Sequence, residues 1–298
     1  MAKVHESSVS EHERVVSDHY DRWTQGFYLN WNADHLHLGL FEPGECPGPD
    51  ERLRDSPGLA RALERMVKVV IAPAGINERH HVVDAGCGVG GAAIYLAKTR
   101  GCAVTGVNLS RVQLEMAGKK VLDAGLDDQV RFEYADCSRS LPFSDESIDV
   151  VVNIESACHY IDRARFLCEV HRILKPGGKI VAVDWMASDG LTEQQYEDHI
   201  QPFCEAWAMH SLECQSSYTS LLGGTGFEIA EFEGFGGKEM DNLQIIENNL
   251  QLLKLLHAFG VTGRAFINSM ERVSRLGEVW RKGYFDVRRY CAVKSRRI

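Results

Sequence analysis

Three short stretches carry residues whose types and spacing can do chemistry. Asp84-Ala85-Gly86-Cys87-Gly88-Val89-Gly90-Gly91 sets glycines between an apolar run and a small-residue run. Glycines at such a junction let the backbone turn sharply and pass close to a ligand. Alone, this serves a nicotinamide or flavin dinucleotide as readily as another nucleotide. The acid at Asp84 shifts the balance, because a carboxylate there meets the ammonium of an amino-acid moiety and repels a pyrophosphate. Ala135-Asp136-Cys137 offers a second acid that can accept from the exocyclic amine of adenine, beside a backbone N–H for the ring. The third stretch is Asn153-Ile154-Glu155-Ser156-Ala157-Cys158-His159-Tyr160. Within it, His159 is the first choice for a general base at neutral pH, and Glu155 is the second. Glu155 has the alternative of capping the following turn or cradling a cofactor.

These residues need a frame that brings them together. The spacing predicts a strand over residues 80–84, a helix over 91–98, a strand over 102–107 and a helix from the Ser110 cap to about residue 124. Strands over 130–134 and 148–153 follow, the second almost wholly apolar, as a strand covered on both faces should be. A helix over 163–174 stops at the stiff turn Lys175-Pro176-Gly177-Gly178, and a fifth strand covers 179–184. Such alternation implies a parallel sheet with helices on both faces. Ahead of it lie one or two polar helices within the first 30 residues, an irregular stretch over 32–57 and a helix over 59–71. Behind it the rhythm breaks: residues 188–222 read as mainly helical, 227–232 as a strand, 240–259 and 264–281 as two long helices, and 284–293 as the closing strand. A helical insertion before the last strand places a cap over the edge where open α/β sheets bind ligands.

The residues quoted over positions 80–186 resemble the class I S-adenosylmethionine-dependent methyltransferases. The resemblance implies an α/β, Rossmann-like sheet, mostly parallel with the last strand antiparallel. It divides the chain into an N-terminal helical lid (1–58), a cofactor-binding core (59–186) and a substrate cap with the final strands (187–298). By that likeness Asp84, Gly86, Gly88 and Gly90 shape the methionine end of the site, and Asp136 and Cys137 hold adenine. Asn108, with Leu109 beside it and Gln113 assisting, takes the place of the ribose acid. Asn153 and Ile154 border the sulfonium. Asn108 departs from the usual Asp or Glu: an amide accepts hydrogen bonds without charge assistance, and Asn108 also reads as a plain turn residue before Ser110. The stretches 18–23, 27–31 and 35–41 resemble the lids of small-molecule methyltransferases of the sarcosine, tocopherol and bacterial natural-product groups. There an aromatic hydroxyl touches the cofactor's amino-acid end, which makes Tyr20 and Tyr28 cofactor candidates and Tyr20 a catalytic one. The competing reading is that these aromatics anchor the helix by burial.

Composition removes other classes. The formal net charge is −9, with 33 Lys and Arg against 42 Asp and Glu, so no basic face for nucleic acid is expected. No run approaches the length of a membrane helix, no secretory leader is read at the N-terminus, and nine scattered cysteines without a CxxC pair read as reduced thiols of a cytoplasmic protein. His80 and His81 lack ligand spacing, so no metal is expected. From Trp185 through Met240 the only Lys or Arg is Lys238, which leans away from an anionic acceptor such as a diphosphate. Aromatic faces there suit a planar or prenyl acceptor and a cation in transit. Trp23, His159, Phe203, Trp207 and Tyr218 are therefore the acceptor-binding candidates, weighed against a role as the cap's own core. The expected function is methylation of a small, largely apolar natural product, with carbon of a terpenoid side chain ahead of oxygen or nitrogen. A cyclase that binds the cofactor without methyl transfer is the alternative. The N-terminal segment could swap between subunits of a homo-oligomer.

Overall fold

The computed structural model describes residues 11–48, 51–235 and 276–295 together with Asn242 and Ile245; the side chains at 12, 23, 25–30 and 276–278 lie outside that description. Apolar runs bounded by turns become seven strands: β1 (His81–Ala85), β2 (Ala103–Asn108), β3 (Val130–Tyr134), β4 (Ile148–Ile154), β5 (Leu174–Ala187), β6 (Phe227–Gly234) and β7 (Phe285–Lys294). They form one sheet in the order β3-β2-β1-β4-β5-β7-β6. The strands β1 to β5 pair in parallel, and β7 runs antiparallel to both β5 and β6. The Rossmann-like sheet implied by the sequence is therefore present. The chain walks outward from β1 to β3 and then returns to place β4 on the other side of β1. That reversal opens a crevice at the C-terminal ends of β1 and β4, where such sheets take ligands.

The helices cover both faces. On one side α2 (Pro57–Ile71) and α3 (Gly91–Arg100) pack Leu96, Met66, Val67 and Val70 against Val82, Val152, Val181 and Val183. On the other, α5 (Arg163–Ile173) and α8 (Gln215–Gly224) pack Phe166, Leu167, Tyr218 and Leu222 against Val83, Val151, Ile180 and Ala182. Alternate residues of each strand go to opposite faces, as the pleat requires. Local signals set the helix starts: Ser56 caps α2 ahead of Pro57, Ser110 caps α4 (Arg111–Asp123) and Asp162 caps α5, each accepting a backbone N–H.

The N-terminal segment is one helix, α1 (Glu11–Asn30), and it docks on the core. Ser110 donates to Asp21 at 2.5 Å, Ser17 donates to the Leu109 carbonyl, and Gln113 donates to Thr24 at 2.9 Å. The stretch 31–41 then crosses the crevice as a strap. Asn32 turns it by accepting from the N–H groups of Asp34 and His35, and Lys120 holds it through Asp34 and the Ala33 carbonyl.

One sequence expectation changes. Strand β5 is longer than residues 179–184, because the Lys-Pro-Gly-Gly turn is a bulge inside it: pairing steps from Ile148–Leu174 to Val150–Lys179, and Gly177 absorbs it at φ +81°. The region 188–222 is mainly helical, as its pattern implies. It holds α6 (Glu193–Gln195), a π turn (Tyr196–Ile200), α7 (Gln201–Ala206) and α8, with an irregular link over 207–214. All nine cysteines are free thiols, most of them buried, with Cys168 exposed on α5. Of the two long helices expected over 240–259 and 264–281, only α9 (Leu276–Arg281), Asn242 and Ile245 fall among the described residues. No helix among the described residues is long and apolar enough to cross a membrane.

Candidate active site

The crevice holds a cleft walled by the glycine loop, the turns after β2, β3 and β4, α1, the strap and the irregular link after α7. One half lies along the glycine loop and the turns after β2 and β3. Asp84, Gly86, Cys87, Gly88, Val89, Gly91 and Ala92 line it beside Asn108, Leu109, Gln113, Ala135, Asp136, Cys137 and Ser138. Gly86 is fixed by space and by conformation. Its φ is +78°, and a Cβ there would lie 1.8 Å from Ser156 Oγ. The loops after β1 and β4 thus meet at Gly86 with no room for a side chain.

Two carboxylates in this half each keep an oxygen open. Asp136 Oδ1 accepts from the Ser138 N–H and hydroxyl, both at 2.8 Å, while its enclosed Oδ2 has no hydrogen-bond partner among the described residues. Asp84 Oδ2 is likewise enclosed and without a partner. Burial pushes the Asp84 carboxyl up to about 7, against the opposing pull of the Ala93 N–H. Buried acceptors of this kind call for donors from a ligand. An ammonium at Asp84 and an adenine amine at Asp136 are such donors. Glu13, Asp34, Asp84, Asp136 and Glu155 all line the cleft, and no Lys or Arg does among the described residues. Glu13 is paired with Arg139, Asp34 with Lys120, and burial holds Glu155 protonated near neutrality, so Asp84 and Asp136 are the acids that favour a cationic ligand, and a sulfonium is one. Cys137 lines this half beside Asp136, with its thiol pushed up to about 12 by burial.

The other half is aromatic and soft. Trp31, Trp185, Trp207 and Met209 line it with Cys158, and its polar wall is Tyr20, His35, His37, Glu155 and His159. The Tyr20 hydroxyl lies 2.8 Å from His159 Nε2, and His159 Nδ1 lies 3.3 Å from the Ala208 carbonyl oxygen. A carbonyl only accepts, so Nδ1 carries the imidazole proton and Nε2 presents its lone pair to the Tyr20 hydroxyl, which donates. Burial raises the Tyr20 hydroxyl pKa well above the usual tyrosine range, and Cys158 and Glu155 add to this. Ala208 and Glu155 are non-glycine residues at φ +54° and +48°. Both sit at this half of the cleft, and such backbone strain persists only where the surroundings hold it. Glu155 Oε1 accepts from the Leu38 N–H at 3.0 Å, and burial pushes its carboxyl up to about 8 against the Trp185 indole and that N–H.

Most sequence candidates converge here. Tyr20, Asp84, Gly86, Gly88, Asn108, Leu109, Gln113, Asp136, Cys137, Ile154, Glu155, His159 and Trp207 all line the cleft. The Asn108 side chain is nonetheless engaged within its own turn. Its amide donates to Gln113 Oε1 at 2.7 Å and to the Gly88 carbonyl, and its oxygen accepts from the Leu109 N–H at 2.8 Å. The side chains of Trp23 and Tyr28 lie outside the described residues.

Four of the sequence candidates do not line the cleft. Asn153 is fully buried behind the cleft wall: its amide donates to the Ala85 carbonyl at 2.8 Å and its oxygen accepts from the Ala157 N–H, bracing the turn after β4 against β1. Gly90 caps α3 at φ +83°, with Ala117 and Phe132 filling the space where a Cβ would sit, and it lines no part of the cleft. Phe203 stacks on the back of Trp185 at 5.1 Å and reaches the cleft only through it. Tyr218 packs on the opposite face of the sheet, where its hydroxyl donates to Asp184 at 2.5 Å. Conversely, sequence reasoning missed Trp31, His35, His37, Trp185 and Met209. The paired imidazoles of the strap were the available signal.

Residues 83–182 match the methyltransferase domain family. Methyltransferase GfsG of Streptomyces halstedii is 34% identical over 218 residues, which span 73% of this chain and 74% of that protein. Among solved structures, a geranyl diphosphate C-methyltransferase from Streptomyces coelicolor A3(2), in complex with Mg2+, geranyl diphosphate and S-adenosyl-L-homocysteine, matches 97% of this chain and 99% of its own at TM-score 0.75 and 18% identity. The [4+2]-cyclase SpnF matches 97% and 98% at TM-score 0.75 and 20% identity. At those identities the structural likeness carries the fold alone. Fold, site and relatives together define a Rossmann-like methyltransferase. The chain belongs to the class I S-adenosylmethionine-dependent methyltransferase family, and S-adenosylmethionine is its cofactor.

Proposed function

We propose that the enzyme methylates a small, largely apolar acceptor, with a carbon of a prenyl or terpenoid side chain as the atom methylated. The observation that carries this reading is the make-up of the acceptor half: Trp31, Trp185, Trp207 and Met209, with no Lys or Arg lining the cleft among the described residues. Indole faces stabilise a cation that has left water, and a diphosphate finds no cationic partner there. When bound, S-adenosylmethionine supplies an electrophilic methyl group on sulfur. The rest is the work of the chain. Asp84 and Asp136 anchor the two ends of the nucleoside, α1 and the strap exclude water, and the indoles align the acceptor. The proton lost from the methylated acceptor passes to the Tyr20 oxygen as the Tyr20 proton moves to His159 Nε2. This leaves an imidazolium whose Nδ1–H stays on Ala208. Glu155, protonated near neutrality, is the second candidate for that role at higher pH.

The Tyr20–His159 pair also supports a second reading, transfer to an acceptor hydroxyl, because the same relay would remove a hydroxyl proton. Incubation with methyl-carbon-13 S-adenosylmethionine and prenylated acceptors, followed by carbon NMR, separates the possibilities. A new methyl on carbon supports the leading reading, and a methoxy or N-methyl signal sinks it. Absence of label in every product, with an acceptor nonetheless rearranged, would assign a cofactor-binding cyclase.

A further inference from the structure

The strap carries a pair of imidazoles that the proposed reaction does not use. His37 Nδ1 lies 2.8 Å from the Leu38 carbonyl oxygen, and His37 Nε2 lies 3.1 Å from His35 Nδ1. The first contact puts the His37 proton on Nδ1, since a carbonyl only accepts. Burial holds His37 down to about 4, so it is neutral and its Nε2 is a bare lone pair. His35 Nδ1 must then be the donor to it. His35 is itself kept neutral by burial, with His37 and Lys120 adding to the effect. Its Nε2 is therefore also a lone pair; the hydrogen bond of the ring among the described residues uses Nδ1, and His35 lines the cleft. Two hydrogen bonds thus fix His35 as an acceptor that faces the cleft.

Its position matches one end of the cofactor. A Cβ on Gly91 would lie 2.6 Å from His35 Nδ1 and 2.8 Å from Cε1, so the imidazole rests on the first residue of α3. Asp84 takes the N–H of Ala93 in the same first turn. His35 and Asp84 therefore converge on one helix turn from the strap and from β1, with Asp34 and Lys120 the other charged groups on that side. We infer that His35 Nε2 accepts a hydrogen bond from the ammonium of S-adenosylmethionine, alongside the Asp84 carboxylate. Gly91 leaves room for both the Asp34 carbonyl, which a Cβ would meet at 2.0 Å, and the imidazole, and His37 sets the tautomer.

Calorimetric binding of three nucleosides to the full chain tests this. S-Adenosylhomocysteine carries ammonium and carboxylate, its decarboxylated analogue carries the ammonium alone, and 5′-methylthioadenosine carries neither. His35→Phe is expected to weaken the first two about tenfold or more and to leave the third within about twofold, the scale of one hydrogen bond to a charged group. His35→Gln, which restores an acceptor, is expected to recover most of the loss. Retained 5′-methylthioadenosine binding serves as the folding control. Unchanged binding of the decarboxylated analogue to His35→Phe, with loss of S-adenosylhomocysteine only, would move His35 to the carboxylate and overturn the inference. Equal loss of all three would overturn it as well.

Discussion

The Tyr20 hydroxyl donates to His159 Nε2 across 2.8 Å, although the two residues are 139 positions apart and come from the N-terminal helix and the turn after β4. The bond closes α1 over the cleft and sets a hydroxyl where an acceptor would lie. In the proposed reaction Tyr20 is the first proton acceptor and His159 the group behind it. Tyr20→Phe and His159→Gln are each expected to lower kcat by about a hundredfold, the scale of general acid–base assistance, with the affinity for S-adenosylhomocysteine changed severalfold at most. Residues that act as one relay are not additive, so the double variant should be little worse than either single one. Steady-state kinetics beside calorimetry checks this. Equal losses in kcat and cofactor affinity would reduce the pair to a latch.

Asp84 predicts the pH dependence of cofactor binding. Its carboxyl in the free protein lies near 7, raised by burial. The ammonium prefers the ionised form, so bound cofactor pulls that pKa down and binding releases a proton. The sign follows: affinity rises with pH up to about 7 and is level above it, falling by on the order of tenfold per unit well below it. Neutral His35 pulls in the same direction, while Cys87 and Cys137 on the other side stay protonated, since burial pushes both thiols up. Asp84→Asn should weaken S-adenosylhomocysteine about ten- to hundredfold and flatten the profile. Titrations between pH 5.5 and 8.5 in two buffers of different ionisation enthalpy measure the proton directly.

The frame was legible because each strand and helix of the core announces itself locally. Apolar runs such as Val150-Val151-Val152 allow little but a buried strand, and Ser110, Ser56 and the glycine loop mark their boundaries. Asp84, Asp136 and His159 were legible for the same reason, since each sits at a strand end or the turn that follows. What failed was anything decided by which face a residue takes. Asp184 and Trp185 are neighbours in β5, yet Asp184 faces Tyr218 on one side of the sheet and Trp185 faces the cleft on the other. An aromatic in the following segment could serve either face, so Tyr218 was assigned to the acceptor site and Trp185 was given no role. The strap was illegible because its register comes from distant partners: Leu38 on Glu155, Gly39 on Asn242, and Asp34 on Lys120.

Glu155 predicts a stability gain that depends on pH. Its carboxyl is raised from 4.5 to about 8 by burial, so the folded chain holds a proton there that the unfolded chain has lost. Stability contributed by this group therefore falls as pH rises from about 4.5 through 8. Glu155→Gln keeps an oxygen for the Leu38 N–H and removes the titration. The variant should be close to wild type at pH 5 and more stable by about 3–4 kcal/mol at pH 8.5, since each tenfold difference in proton affinity between folded and unfolded chain is worth roughly 1.4 kcal/mol. Urea unfolding at the two pH values measures it. A variant less stable at both would mean that the ionised carboxylate is held by the fold.

Trp207 and Tyr218 were equal candidates for the acceptor site in the sequence, and their structural positions make opposite predictions. Trp207 lines the cleft, half-buried, with its ring 6.2 Å from that of Trp185. Tyr218 lies in the far core, and its hydroxyl is the donor to the fully buried Asp184, whose carboxyl is raised by burial against the pull of Tyr218 and Arg163. Tyr218→Phe leaves Asp184 with one donor fewer, which costs about 1–3 kcal/mol of stability, while kcat/KM measured well below the new Tm stays within about twofold. Trp207→Ala should reverse the pattern. It removes an indole face from the chamber, so KM for an apolar acceptor should rise about tenfold or more, with the affinity for S-adenosylhomocysteine little changed. Melting curves and acceptor kinetics on the two variants decide between chamber and core for each residue. A large KM effect from Tyr218→Phe would mean that the two faces of the sheet are coupled through Asp184 and Trp185.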